Sequence, residues 1–167
     1  MNVTYYTLLQ GSPETALQPV LDLNNQIFQV DTAASGTHHG SLTEWQKRLG
    51  EPLSIIVCAG LNGQTQGDTE ISPVGFIFAH PKQHGGDSQP ALHIWLAGVL
   101  PASRGSGTFH GLMTRVERHA REKDVKTLSV ATFPAKFSRM YSILRGTGWS
   151  GEKDLGGGKV LLTKALT

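Results

Sequence analysis

The 167 residues carry 15 lysines and arginines against 13 aspartates and glutamates, a net charge of +2, with 38% hydrophobic and 17% charged residues. That length fills one domain, residues 1–167, with a sizeable core and falls short of two, and the mixture excludes wholesale disorder. The basic residues are spread along the chain with no run among them, which argues against nucleic acid as a partner.

In chain order, the opening MNVTYYTLLQGSPETAL has neither a positive n-region nor a continuous apolar h-region, and no segment reaches the ~18 apolar residues of a membrane span. The expectation is a cytoplasmic protein without a membrane partner. Residues 3–9 are dense in β-branched and aromatic types and predict a strand. Ser12 and Pro13 then read as the cap and first position of a helix whose face is Ala16, Val20, Leu23, Ile27 and Val30. Residues 31–41 are small and polar and predict a loop, one that could lie over a site. A short helix follows, capped by Ser41 or Thr43, with Trp45 and Leu49 on one face and Gly50 as its stop.

The apolar runs at 52–61 and 73–81, separated by a polar tract, predict a β-hairpin. Cys58, in the first of them, is the one cysteine and reads as a small core hydrophobe in a reducing compartment. ALHIWLAGVLP, 91–101, is the clearest strand signal in the chain. Beyond it come a helix with Leu112, Val116, His119 and Ala120 on one face, a strand at 127–133, a helix at 135–145 and a final strand from Lys159. Gly156, Gly157 and Gly158 are followed by Lys159-Val160, which excludes a P-loop and predicts a hairpin turn. No repeat or linker interrupts this order, which describes an α/β or α+β layer around a mixed sheet.

The stretch LPASRGSGTFHGLM, 100–113, places a glycine loop between that strand and a helix. Such a turn leaves backbone N–H groups unpaired at the positive end of the helix dipole, where anions are held well. Glycines reach positive φ without strain and let a pyrophosphate approach closely, and Arg104 can add a charge-assisted bond. Taken alone, so short a pattern fits a plain strand-to-helix turn better.

The run Val99-Leu100-Pro101, followed by Arg104-Gly105-Ser106-Gly107-Thr108-Phe109, resembles the V-x-P…[QR]-x-x-G-x-[GA] signature of the GNAT superfamily of N-acetyltransferases. The order of elements from residue 3 to 165 is similar too. Phe109 stands where the family has glycine or alanine. The resemblance implies a mixed, mainly antiparallel sheet of six to seven strands flanked by about four helices, with acetyl-CoA as co-substrate and no metal. Ser103, Arg104, Gly105, Ser106, Gly107 and Thr108 would then cradle its pyrophosphate. The N–H groups near Gly98 and Val99, where the strand bulges and splays, would bind pantetheine and polarise the thioester carbonyl.

The implied reaction is direct attack of an amine, which needs a base to remove a proton. His93, on the strand at a position where relatives carry such a group, suits that role. A histidine in an apolar strand is as often a hydrogen-bonded core residue, and both readings stand. Strand alternation would put His93, Trp95 and Ala97 on one face, with Trp95 walling the amine pocket. The family's Y-x-x-x-G-F pattern, whose tyrosine protonates the leaving thiolate, is matched at Gly148-Trp149, but Tyr141 comes one helical turn early and reads equally as a core aromatic. Phe137 occupies the place of an asparagine on the same helix. His80 and His84, split by Pro81, and His38 and His39 lack metal-ligand spacing, though His38, His39 and His80 could line a substrate entrance.

The expectation is acetyl transfer to a primary amine of a small molecule. A protein lysine or N-terminal acetyltransferase and a catalytically weak CoA-binding module are the alternatives. Oligomeric state, a homodimer included, is open.

Overall fold

The computed structural model describes residues 3–29, 39–63 and 71–167. Val30, His38 and much of the two polar tracts, 31–38 and 64–70, lie outside them. The elements run β1 (Val3–Leu8), α1 (Glu14–Ile27), α2 (Leu42–Leu49), β2 (Ile55–Asn62), β3 (Ile71–Lys82), β4 (Ala91–Val99), a 3-10 turn (Pro101–Ser103), α3 (Thr108–Glu122), β5 (Thr127–Thr132), α4 (Ser138–Gly146), β6 (Gly151–Gly156) and β7 (Lys159–Ala165). The strands form one sheet in the order β1-β2-β3-β4-β5-β7-β6. Neighbours are antiparallel except β4 and β5. This is the mixed, mainly antiparallel sheet with four helices that the sequence predicts.

The two faces of the sheet carry separate cores. On one, Leu17, Val20, Leu21 and Leu23 of α1 and Trp45 and Leu49 of α2 pack against Ile56, Cys58, Phe76, Phe78 and Leu96. Trp45 is fully buried and lies edge-on to Phe78 at 5.0 Å between ring centroids. On the other, Leu112, Met113, Val116 and Ala120 of α3 and Leu144 of α4 pack against Ile55, Val57, Ile77, Leu92, Ile94 and Leu128. Burial from both sides explains why β2 to β4 read as near-continuous apolar runs instead of alternating ones. Cys58 lies within this packing, and burial pushes its thiol up to about 12.

Local chemistry sets most boundaries. Ser41 caps α2 by accepting from Glu44 N, and Gly156, Gly157 and Gly158 turn the β6–β7 hairpin with φ of +86°, +63° and +84°. Three expectations are corrected. Ser12 accepts from Leu9 N within the turn, leaving Pro13 as the cap of α1. α4 begins at Ser138, because its cap residue Phe137, at φ −120° and ψ 51°, lies outside helical geometry. His119 is only half-buried, its Nε2 donating to Leu53 O at 2.9 Å. No helix of the described residues is long and apolar enough to cross a membrane.

Two irregularities of β4 shape its functional end. Phe78 pairs with Leu96 but Ala79 with Ile94, so Trp95 is an extra residue, a β-bulge. The parallel ladder to β5 covers only Leu92 to Ile94, opposite Leu128 to Val130. Beyond Ile94 the two strands share no pairs, and a V-shaped opening runs toward the 3-10 turn.

Candidate active site

The loop at the mouth of the V is held by its own backbone. Gly105 and Gly107 have φ of +81° and +82°, which L side chains adopt only at a cost, and a Cβ built on either meets nothing within 4 Å. Conformation, not crowding, therefore calls for glycine, and the space above both is open. Gly107 is the N-cap of the 15-residue α3 and supplies no capping side chain. Ser106 Oγ is engaged with Ser103 O at 3.0 Å and Thr108 Oγ1 at 3.1 Å, while Thr108 itself is buried. The first N–H groups of α3 thus point out of the helix with the dipole behind them. Arg104 is exposed at this mouth, with Nε donating to Val99 O at 2.9 Å.

Along the V, Leu100 N donates back to Val74 O on β3. Strand alternation then turns the amides of Val99 and Ala97 to the β5 side, where no ladder partner meets them, and sends that of Gly98 toward β3. Gly98 serves the packing of a helix: a Cβ there would lie 3.0 Å from Ile27 Cγ2, so its absence lets α1 close on β4. A negatively charged pyrophosphate at the loop and an amide-bearing arm along the V both fit what these residues present, which is the chemistry of a coenzyme A thioester.

The bulge also corrects the expected face. His93 and Trp95 lie together on the α1/α2 side, but the extra residue turns Ala97 to the α3 side, against Ile77 and Val99. His93 is opposite His80 on β3 and Ser129 on β5, one residue before the ladder ends. Its Nδ1 lies 2.9 Å from Ser129 Oγ, which also meets His84 Nε2 at 2.8 Å. His80 is fixed in one tautomer: Nδ1–H donates to Pro81 O at 3.0 Å, so Nε2 accepts from Arg48 Nη1 at 3.2 Å. Burial, and then the nearby positive charge of Lys82, push His93 down to about 3, and burial lowers His80 and His84 as well. All three rings are neutral at pH 7.

Trp95 is half-buried, with the Arg48 guanidinium carbon 4.0 Å from its ring centroid. With Glu44, Lys47, Arg48 and Glu51 of α2 and the turn after it, Trp95 lines an open recess of about 250 Å³. Of the expected entrance, His80 lies beneath this recess, 6.4 Å from Trp95, while His39 packs edge-on to Phe28 and accepts from Asn24 Nδ2. Tyr141 is half-buried on α4 and donates to Glu152 Oε1 of β6, a bond that raises its pKa. Phe109 packs against the α3-side core, and Phe137 is exposed.

Ser129, His84 and Arg48 carry no site signal in the sequence. Only the parallel register of β4 with β5 brings Ser129 opposite His93. The nearest hint is a serine inside the apolar run TLSVATF.

Residues 18–140 match the acetyltransferase (GNAT) family. A comparison of the sequence with curated proteins finds no match. Among solved structures, the chain resembles one in a crystal structure of the NatC complex bound to Gag peptide and CoA, at 17% identity with 100% of each chain covered and a TM-score of 0.71. It also resembles an aminoglycoside acetyltransferase from an uncultured soil metagenomic sample, in complex with sisomicin, at 15% identity, 92% of each chain and 0.70. Arabidopsis thaliana NAA60 in complex with a bisubstrate analogue follows at 12% identity, 99% of this chain and 100% of that one, and 0.68. With the matched residues running from α1 into α4 and the signature loop seated where β4 leaves β5, the chain belongs to the GNAT family of acetyl-CoA-dependent N-acetyltransferases.

Proposed function

We propose that residues 1–167 form one acetyltransferase domain that moves the acetyl group of acetyl-CoA to a primary amine of a small molecule. The observation that carries this reading is the placement of His93 one residue before the β4–β5 ladder ends, and two residues from Trp95, which lines the recess. Acetyl-CoA supplies an acetyl group already activated as a thioester. The amides of Gly105, Gly107 and the first turn of α3, with Ser103, Ser106 and Thr108 shaping the loop and Arg104 beside them, hold its diphosphate. The Val99 amide donates into the V, where negative charge develops on the acyl oxygen. Gly98 keeps that segment of β4 against α1.

On the acceptor side, Trp95 walls the amine and Glu44 and Glu51 draw a cation toward it. His93, neutral at pH 7, has Nδ1 committed to Ser129 and leaves Nε2 as the nitrogen that takes the amine proton. Tyr141 reaches a leaving thiolate only by exchanging its Glu152 partner. The recess suits a small amine better than a folded surface, being somewhat below the usual few hundred Å³ of ligand pockets. A peptide N-terminus is the second reading, favoured by the full-length likeness to the NatC subunit.

The test is release of CoA thiol with acetyl-CoA and spermidine, tyramine, kanamycin or a short peptide with a free N-terminus. Turnover saturable in acetyl-CoA on one of the first three amines is expected. Turnover on the peptide alone would establish the second reading, and saturable acetyl-CoA binding with no turnover on any would overturn both in favour of a CoA-binding module.

A further inference from the structure

We infer that Ser129 and His84 form a proton relay that carries the proton taken up by His93 out to solvent, an inference that rests on the reading of His93 as the base. One serine oxygen bridges the two rings, at 2.9 Å to His93 Nδ1 and 2.8 Å to His84 Nε2. A hydroxyl has one hydrogen to give, so it donates to one ring while accepting from the other. The line therefore has two hydrogen-bonded arrangements, and passing from one to the other moves one proton from end to end.

In the starting arrangement His93 Nδ1–H donates to Ser129 Oγ, whose own hydrogen points at His84 Nε2. As His93 Nε2 takes a proton from the amine, its Nδ1 proton passes to Ser129 Oγ, and the serine proton passes to His84 Nε2. His84 then loses Nδ1–H to water. His93 is left neutral with its hydrogen on Nε2 and Ser129 donating back to Nδ1. The starting arrangement returns when that Nε2 hydrogen leaves to water on the acceptor side while water protonates His84 Nδ1, the His84 Nε2 hydrogen steps back to Ser129 Oγ and the serine hydrogen to His93 Nδ1.

The surroundings give the relay a direction. His93 and Ser129 are buried, 6% and 0% exposed, whereas His84 is only half-buried in the turn after β3. Around His93 stand Lys82 of β3, Arg48 of α2 and the rings of His80 and His84, all of which disfavour a positive charge there, as does its burial. His84 has Asp87 beside it, opposed by Lys82 and by Lys153 of β6. His80 cannot serve as the outlet, because its two nitrogens are committed to Pro81 O and Arg48. The proton that His93 accepts must therefore move on, and Ser129 is the only polar group bonded to that ring among the described residues.

His84→Ala, at a half-exposed turn, tests this with the fastest amine of the four named above. The expected result is a kcat about tenfold below wild type, an unchanged KM for acetyl-CoA, and recovery of kcat when imidazole is added. A kcat within twofold of wild type, or a loss that imidazole does not restore, overturns the relay while a dead His93→Ala leaves the base in place. A His93→Ala variant with wild-type kcat overturns the base and the relay with it. Independently of any acceptor, 15N spectra of histidine-labelled protein should show His93 Nδ1 responding as His84 titrates, and Ser129→Ala should abolish that response. A His93 signal indifferent to His84 in the wild type contradicts the inference.

Discussion

At the scale of single residues, the glycines of the loop and His93 make opposite demands on their surroundings. Gly105 and Gly107 need only a backbone that turns to positive φ, so alanine at either should cost roughly 1–2 kcal/mol of strain and weaken CoA binding by calorimetry without opening or filling any core space. Arg104→Ala, at the mouth of the V, should weaken the same binding several-fold, about 1 kcal/mol, and an unchanged affinity would return Arg104 to a role in the turn alone. His93 is held well below its unfolded pKa by burial. Because the unfolded chain binds the proton more readily, its contribution to stability is full above pH ~6.5 and is lost as pH falls toward about 3. Denaturant midpoints should decline across that window by up to about 1.4 kcal/mol per pH unit from this group, less so in His93→Gln. The loop was legible in the sequence because it is local: proline, arginine and two glycines within seven positions. The partners of His93 were not, since Ser129 arrives from a strand beyond α3 and His84 from the turn before β4.

At the scale of elements, β4 departs from regularity where the chemistry is read. The bulge at Trp95 keeps His93 and Trp95 on one face and shifts Ala97 to the other, which simple alternation could not foresee because a one-residue insertion inverts every position after it. The 3.6-residue pattern of α2 and α3, by contrast, marked Trp45, Leu49, Leu112, Val116 and Ala120, and all are buried. α3 approaches β1 closely at Gly111, where a Cβ would lie 2.1 Å from Tyr5 Oη and the Tyr5 ring is covered by Arg115 at 3.8 Å. Gly111→Ala should therefore destabilise the protein by about 1–3 kcal/mol through displacement of that ring, measured by urea unfolding. Truncation of Trp45, which joins α2 to β3 and β4, should cost about 3–5 kcal/mol and widen the recess beneath Arg48.

At the scale of the whole molecule, the order of strands and helices was readable from apolar runs and turn residues, and so was the family. The opening between β4 and β5 was only implied, because a ladder of three paired residues that then diverges leaves no mark in composition. Everything placed at that opening, the amides of Ala97 and Val99, the uncapped start of α3 and Arg104, converges on one elongated anionic thioester. Ligand that binds only the folded chain stabilises it, by about 2.7 kcal/mol at roughly a hundredfold excess over Kd, so acetyl-CoA should raise the melting temperature and inorganic phosphate should do so far less. The most direct measurement is amide chemical-shift mapping with CoA on 15N-labelled protein. The largest changes are expected at Ala97, Val99 and 103–109, with the β1 and β6 edges unmoved. Saturable binding whose shifts lie elsewhere, or no binding at all, would contradict the account.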